Sequence, residues 1–563
     1  MALIKVLRMA LIQVFKKTKI TATRFYEGGN GMIKTKSKLG AIFFSSIAAL
    51  NIQISVANAD NLTVALAAEP TSMDPHYQNL TINNSMATQV YDALVLQDIN
   101  QNLVPGLAVS WKPVGENTWE FKLRKGVTFH NGAVFSAEDV IATMKRAANV
   151  PNSPSSFATF IKGKTFEVID DFTIQVSTAK PNPFIPNDMS RVSIIDSSFV
   201  DATTEDFNTG KAAFGTGPFK LKKWLPGDAI KLSRNDGYWG NVVDWNEVDI
   251  KPISDGTTRT AALIAGDVDF IERVPSSDLP TVEKRNGLKV FKSVSNRLLY
   301  LTLHMTEKPM RPYVTDKSGN AIASPFMDIR VRQAVSFAIN REAIAAKVMD
   351  GLSFPAGQFS PKGYIGYNPA LTADPHNLKK ARALLAEAGY ADGFKLTIHG
   401  PAGRYTNDTR ILEAIAQMLT RVGIETSVET MPASVFFKRF ARGGVNKTPE
   451  FTVAMSGYAN GSGEPSHPLR IFIHTKQKER GYGPGNRNGY SNAEVDKLIE
   501  DGRASMNIEA GEKAFLKATE IAMKQYALVP IHHEIATWAG REGISYEHGA
   551  LDSTFIHNIR LKR

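Results

Sequence analysis

The sequence predicts an α/β fold, and three observations support this prediction. Beyond residue 60, short runs with strand-like alternation are interleaved with amphipathic helical patterns throughout the chain. Residues 374–430 read as one complete strand-helix-strand unit preceded by a helix. The 563 residues are 43% hydrophobic and 21% charged, the composition of a soluble globular protein with about two to four domains.

The first 59 residues do not fit that fold and indicate an export signal. Three lysines precede an apolar run that ends at Ala57-Asn58-Ala59, the small-residue pattern of a signal peptidase site. Cleavage is therefore predicted between Ala59 and Asp60. Polar residues interrupt the run, so a permanent membrane span is not expected. A start at Met32 would give a signal of ordinary length, and a start at Met1 an extended basic leader.

The positive charge of the chain belongs mostly to this leader. Nine of the 66 basic residues and one of the 55 acidic residues lie in the first 59 positions, which leaves 57 against 54, a net charge of +3 rather than +11. Net charge therefore gives no argument for a nucleic-acid partner.

The chain contains no cysteine. Disulfides, thiolate metal sites and cysteine nucleophiles are thereby excluded, and no cysteine follows the signal to accept a lipid. A secreted chain without a lipid anchor stays with its cell only where something confines it. The space between two membranes, the periplasm, is the expected location.

The segment 374–430 is the most legible part of the sequence. Asp374 is expected to cap a helix with Pro375 at its first position, and Gly389 to end it. A strand over 394–398, a helix capped by Asp408 and a strand over 424–429 follow. Two strands joined by one helix are expected to be parallel with a right-handed crossover.

Two loops are expected at the carboxyl edge of this sheet, where α/β proteins bind ligands. The first spans 399–407 and carries Arg404, whose guanidinium could clamp a ligand carboxylate; the alternative is a solvated surface arginine. The second spans 456–465 after a short strand over 451–455. The candidate groups on this second loop, which could equally be an ordinary surface turn, are Tyr458, Ala459, Asn460, Gly461 and Glu464.

Other chemistry is poorly supported by the sequence. His532, His533 and Glu534 suggest a zinc hydrolase, but the motif needs a second histidine four residues after the first, and position 537 is a threonine. His467 and His474 could share a helix face, which is weak evidence for a metal. No hydrolase elbow or phosphate-binding loop is present. Neither an enzyme activity nor a cofactor is predicted.

Short motifs recur in a fixed order along the chain. They lie at 69–75, 91–94, 105–111, 119–130, 135–140, 215–219, 238–240, 263–269, 325–340 and 529–530. Each motif is weak alone, but the ordered set resembles family 5 of the bacterial extracellular solute-binding proteins, the peptide- and nickel-binding receptors of ABC importers.

The resemblance implies a two-lobed periplasmic binding protein of type II, close to cluster C, with a hinge. Lobe I would hold residues 60–301 and 531–563, with an extra subdomain near 106–214. Lobe II would hold residues 302–530, and residues 1–59 would form the leader and signal peptide.

The resemblance also implies roles for site residues. In dipeptide-binding members, an arginine at the position of Arg404 holds the ligand carboxylate, and an aspartate three residues after an aromatic holds the ligand amino group. Tyr458 matches the aromatic, but Gly461 stands at the aspartate position, so an ordinary dipeptide is not implied. Glu464 could replace the missing acid. Tyr405, Asn407 and Asn79 complete the expected ligand contacts.

The implied function is capture of a small peptide or peptide-like carboxylate ligand for import. The partners would be that ligand and the inner-membrane ABC permease subunits with their ATPase, with no nucleic acid, and the receptor would be a monomer. Alternatives are a receptor for a metal chelate such as nickel or for haem and, in another class, a secreted hydrolase.

Overall fold

The computed structural model describes residues 61–307, 313–444 and 448–562. The predicted cleavage site at Ala59 and Asp60 lies outside the described residues. The strands are β1 Asn61–Leu66, β2 Val95–Gln97, β3 Leu103–Pro105, β4 Ala108–Pro113, β5 Thr118–Leu123, β6 Lys164–Asp170, β7 Thr173–Thr178, β8 Phe219–Leu225, β9 Ala229–Arg234, β10 Glu247–Pro252, β11 Phe270–Glu272, β12 Leu288–Leu303, β13 Val314–Thr315, β14 Ser353–Pro355, β15 Phe394–Ala402, β16 Ile424–Pro432, β17 Val453–Tyr458, β18 Val529–Arg541, β19 Ile544–Tyr546 and β20 Ile559–Leu561.

Helices alternate with these strands. The α-helices are Thr81–Val90, Ala137–Ala147, Ala158–Ile161, Ile185–Met189, Thr204–Asn208, Gly256–Ala265, Leu279–Glu283, Ile329–Ala338, Arg341–Ala343, Leu378–Glu387, Asp408–Thr420, Ala433–Arg442, Ala493–Ala504 and Ile508–Lys524. This alternation confirms the predicted α/β class.

One large mixed sheet organises the fold. Its strand order is β13-β15-β17-β12-β18-β11-β1-β10-β9-β8, with β16 beside β15 and β14 beside β18. The long antiparallel pair β12 and β18 runs through its middle, and its register shifts between Val294 and Leu298. These two strands connect the two ends of the sheet.

A second sheet stands apart, with the antiparallel order β4-β5-β7-β6. The helix Ala137–Ala147 lies beside it and begins with a capping box between Ser136 and Asp139. Phe121, Phe135 and Ile174 belong to the core of this part, and each is fully buried.

The predicted strand-helix-strand unit is present, with shifted ends. β15 and β16 pair in parallel through nine residues and flank the helix Asp408–Thr420. The predicted cap at Asp374 was wrong, because the preceding helix begins at Leu378 with the Asn377 side chain as its cap. The Asp374 carboxylate instead accepts a hydrogen bond from the Ser336 hydroxyl.

β17 also runs later than predicted, from Val453 to Tyr458, and pairs in parallel with β15. The carboxyl ends of β15 and β17 therefore lie at the same edge of the sheet, as predicted. Because β15 continues to Ala402, the first loop is only the short segment 403–407.

Candidate ligand-binding site

The loop after β15 is fixed by its own neighbours. The Asp408 carboxylate accepts hydrogen bonds from the backbone N–H groups of Gly403, Arg404 and Tyr405, at 3.2, 2.8 and 3.1 Å. Asp408 therefore organises the loop that precedes it. The predicted cap at Asp408 was wrong, because Asp408 is already the first residue of the helix; the N-cap position is held by Asn407, whose φ is 55° and whose side chain makes no capping hydrogen bond. Such a loop presents the Arg404 side chain from a rigid base.

Tyr405 joins the two strand-end loops. Its hydroxyl accepts a hydrogen bond from the Gly457 N–H at 2.8 Å and donates one to the Gly457 carbonyl at 3.3 Å. Its ring is buried, and the Arg404 guanidinium lies over it, 5.2 Å from the ring centroid. Tyr405 thus positions Arg404 through a cation–π contact.

Arg404 lies beside a buried cluster of charges that the sequence did not indicate. The Arg297 guanidinium forms hydrogen bonds with the Asp552 carboxylate at 3.1 and 2.9 Å. Its Nε also lies 3.6 Å from Glu534, and Arg273 reaches Asp552 at 3.4 Å. Two guanidinium groups, those of Arg297 and Arg273, thus share two carboxylates, and Arg404 lies beside them.

The pKa shifts agree with an excess of positive charge. Burial, followed by the charge of Arg297, lowers the pKa of Arg404. Although burial raises it, the pKa of Asp552 is held well below its usual value by Arg297 and Arg273. Among the described residues, no ion pair or side-chain hydrogen bond engages the Arg404 guanidinium. A bound anion would balance this charge.

The second loop begins at Tyr458, whose polar end is already engaged. Its hydroxyl is hydrogen-bonded to His467 Nδ1, and its ring stacks on the His467 ring at 5.8 Å. Phe472 meets the same ring edge-on at 4.9 Å. Tyr458 therefore forms part of an aromatic wall.

The next residues expose backbone carbonyls that distant side chains bind. Gln101 Nε2 donates to the Asn460 carbonyl at 2.5 Å, and Arg191 Nη1 donates to the Gly461 carbonyl at 3.0 Å. Gln97 and Asn187 both donate to the Ser462 carbonyl, at 2.8 and 3.1 Å. The second loop is thus fastened to the first third of the chain.

Glu464 is engaged elsewhere. Its carboxylate is 3% exposed and forms an ion pair with Arg503 at 2.5 Å, and it accepts a hydrogen bond from the Ser466 hydroxyl. Although burial raises it, the charge of Arg503 holds the pKa of Glu464 below its usual value. With these partners, the carboxylate has little capacity left for a ligand amino group.

Three other residues nominated from the sequence, Asn407, Asn79 and Ala459, do not line the cavity described next. The Asn407 side chain donates to the Val348 carbonyl at 2.8 Å. The Asn79 side-chain oxygen accepts from Asn84 Nδ2 at 2.8 Å, and Asn84 lines the cavity described next. Ala459 is half-buried between Tyr458 and Asn460.

A cavity of about 730 Å³ is large enough for a small peptide. It is lined by side chains that include Asn84, Gln97, Gln101 and Arg191, and by Leu551, the neighbour of Asp552 in the charge cluster. None of the residues nominated from the sequence lines it. Tyr458 and Asn460 instead face a void of about 10 Å³, which Gln101 also borders.

The residues that sequence reasoning missed are the partners from distant strands and loops. Arg297 lies on β12, Glu534 on β18 and Asp552 near the end of the chain. Only the proximity of β12 and β18 to the β15 loop brings them together. The sequence signal that could have indicated Arg297 is a charged residue directly before the apolar run at the end of β12.

Within the described ranges, no group of three or more histidine and acidic side chains is arranged to hold a metal ion. His532 is fully buried, and burial lowers its pKa to about 3. No helix of the described part of the chain is both long and apolar enough to span a bilayer.

Together, strand-end loops that meet beside a buried cationic cluster and a peptide-sized cavity define a ligand-binding protein built on an α/β sheet. The family model of the bacterial extracellular solute-binding proteins, family 5 (middle), matches residues 102–480. The chain belongs to this family, whose members are binding proteins.

Known proteins agree with this membership. The glutathione-binding protein GsiB of Pectobacterium atrosepticum is 27% identical over 442 residues, 78% of this chain and 82% of that protein. The periplasmic binding protein DppA of Helicobacter pylori, solved with the peptide STSA, has a TM-score of 0.74 and 24% identity over 89% of this chain and 98% of its own.

A further solved structure is NikZ of Campylobacter jejuni in complex with Ni(L-His), with a TM-score of 0.73 and 19% identity over 89% of this chain and 99% of its own. At these identities, the two solved structures show the fold. They confirm the two-lobed type II architecture expected from the sequence.

Proposed function

We propose that this chain is the periplasmic solute-binding component of an ABC importer and that it captures a small peptide or peptide-like ligand through a carboxylate. Family membership supports the receptor role. The receptor would deliver its ligand to inner-membrane permease subunits and their ATPase, and it would act without catalysis, as a monomer, after export by the predicted signal.

One observation supports the carboxylate most directly. Arg273, Arg297 and Arg404 are gathered around the two acids Glu534 and Asp552, and Arg404 is the guanidinium without a carboxylate partner. Leaving a cation partly buried and unpaired is unfavourable. A ligand carboxylate can accept two parallel hydrogen bonds from it and restore the balance.

The lobe boundaries expected from the sequence are part of the proposal. One hydrophobic core contains residues such as Phe394, Ile415 and Val529, all within the stretch 299–531. Another hydrophobic core contains Phe270, Trp538 and residues near the end of the chain up to Ile559. The two cores meet along β12 and β18, which supports a hinge in these strands and lobes at 60–301 with 531–563, and at 302–530.

The ligand class follows from the relatives and from the site. Relatives that include GsiB bind glutathione, a tripeptide with two carboxylates, and the cavity has the volume for a molecule of that size. With Gly461 in place of an acid and Glu464 paired to Arg503, neither of the two positions expected to hold a free amino terminus offers an available carboxylate. The ligand would therefore be recognised chiefly by its anionic groups.

A metal chelate is the second candidate, because a structural neighbour was solved with Ni(L-His). Histidine in such a chelate carries a carboxylate that Arg404 could hold equally well. The protein itself would then need to supply few metal ligands.

Native mass spectrometry of the exported chain, purified without denaturation, tests the proposal. A retained peptide with a free carboxylate supports the peptide receptor, and a retained metal complex supports the second candidate. Titration calorimetry with glutathione on protein stripped in denaturant and refolded would then measure affinity. A chain that holds and binds no carboxylate compound contradicts the proposal.

A further inference from the structure

Arg191 is a second half-buried cation that has no acidic partner among the described residues. Its Nη1 donates to the Gly461 carbonyl at 3.0 Å, whereas its Nε is buried with no hydrogen-bond partner. In residues 61–307, 313–444 and 448–562 no carboxylate pairs with it. Burial lowers the pKa of Arg191, and the Tyr458 hydroxyl only partly opposes the shift.

Arg191 lines the cavity of about 730 Å³. Three acids share this lining: Asp92, Asp98 and Glu547. Asp92 accepts hydrogen bonds from Thr216, Tyr238 and Trp239, and Asp98 accepts them from the backbone and one side chain of its own turn. Glu547 is exposed, so Arg191 is left as a half-buried cation of the lining that none of these acids pairs with.

Arg404 does not line this cavity, but Leu551 does, and Leu551 precedes Asp552, the carboxylate that pairs with Arg297 beside Arg404. Among the described residues, Arg191 and Arg404 are thus two guanidinium groups without a carboxylate partner, one in the lining of the cavity and one beside the charge cluster that follows Leu551. Each costs free energy while unpaired, and each gains from an anion.

We infer that Arg191 binds a second anionic group of the ligand, so that the receptor selects peptides with a carboxylate at each end. This inference rests on the proposed function, because it assumes a carboxylate ligand at Arg404. It adds the specificity: a ligand with an acidic group at its far end is preferred to one with only an ammonium group there.

A pair of peptides tests the inference on the unmutated chain. Glutathione and 4-aminobutanoyl-cysteinyl-glycine share the terminal glycine carboxylate and the amino group, and differ only in the carboxylate of the γ-glutamyl residue. The chain should bind glutathione about ten- to a hundredfold more tightly in calorimetry, the effect of one charge-assisted hydrogen-bonded contact.

Gly461→Asp provides the matched variant. A Cβ at Gly461 would lie 3.4 to 3.5 Å from the Arg191 guanidinium, an ordinary contact that leaves room for an acid. The new carboxylate should pair with Arg191 and abolish the preference for glutathione over the analogue, whatever the change in affinity that the two peptides share. Arg191→Met should do the same, and Arg191→Lys should retain part of the preference.

The outcomes separate the two proposals. Equal affinities of the unmutated chain for both peptides overturn the role of Arg191 and leave the proposed receptor intact. If neither peptide binds, the proposed peptide ligand fails and this inference fails with it. A preference for glutathione that survives in Gly461→Asp also overturns the inference.

Discussion

The guanidinium of Arg297 and the carboxylate of Asp552 form two hydrogen bonds, at 3.1 and 2.9 Å, across 255 residues of sequence. Both side chains are buried, with 3% and 9% of each residue exposed. The pair ties β12 to the segment near the end of the chain, and it leaves the Arg404 guanidinium beside it without a carboxylate of its own. We therefore expect this pair to affect both the stability of the fold and the proposed binding of a ligand at Arg404.

Asp552→Asn should destabilise the fold. The substitution leaves Arg297 buried without its main counter-charge, which costs about 3–5 kcal/mol in the free energy of unfolding. Urea unfolding of the ligand-free chain measures the loss. The exposed pair of Lys497 and Asp501 offers a control: Asp501→Asn should cost less than about 1 kcal/mol. A similar small loss for both variants would show that the buried pair contributes little.

Acid should destabilise the protein because several histidines are buried. Burial lowers the pKa of His76, His532 and His533 to about 4, 3 and 4, whereas an unfolded histidine titrates near about 6.5. Below that value the unfolded chain binds more protons than the folded one. The free energy of unfolding therefore falls as the pH falls from about 6.5 to about 4, by about 1.4 kcal/mol per pH unit for each such histidine.

His532 gives this prediction its clearest test, because its ring is fully buried and neither ring nitrogen has a hydrogen-bond partner in the part of the chain that the structure describes. His532→Leu should make the pH dependence shallower by about 1.4 kcal/mol per pH unit between about pH 6 and 4. Urea unfolding of both chains across this range measures the slopes. Parallel slopes would mean that His532 is not kept neutral by burial.

Asn187→Ala should weaken ligand binding without any direct contact. Asn187 donates to the Ser462 carbonyl at 3.1 Å and does not line the cavity. If this bond joins the proposed lobes in the closed form, its loss should raise the Kd about three- to tenfold, since one net hydrogen bond is worth about 1 kcal/mol. Asn149→Ala, which removes a local bond to the Lys145 carbonyl, should not. Unchanged affinity in Asn187→Ala would exclude a closing role.

The sequence predicted the parts of the fold that depend on local patterns. The parallel unit of β15 and β16 with its intervening helix follows from periodicity and turn residues that are adjacent in sequence. The ends were harder to predict. Pro401 lies within β15, on a stretch that reads as a loop because prolines and glycines usually end strands.

Only the part of the candidate site that lies on the loops after β15 and β17 could be predicted from the sequence. Arg404 was nominated from its loop, but its surroundings depend on Arg297 and Asp552, which long-range pairing brings together. No local sequence pattern indicated Arg191, because its proposed role depends on its hydrogen bond to the Gly461 carbonyl and on the cavity that it lines. The balance of charges in the folded protein cannot be read from any one segment of the sequence.

Arg404→Met gives the most direct test of the central claim, that this guanidinium holds a ligand carboxylate. Calorimetry should compare glutathione with its glycine amide on the unmutated chain, on Arg404→Met, and on Arg410→Met, an exposed arginine of the adjacent helix. We expect that amidation and Arg404→Met each weaken binding about ten- to a hundredfold, that the two losses do not add, and that Arg410→Met changes nothing. Unweakened glutathione binding by Arg404→Met would contradict that claim.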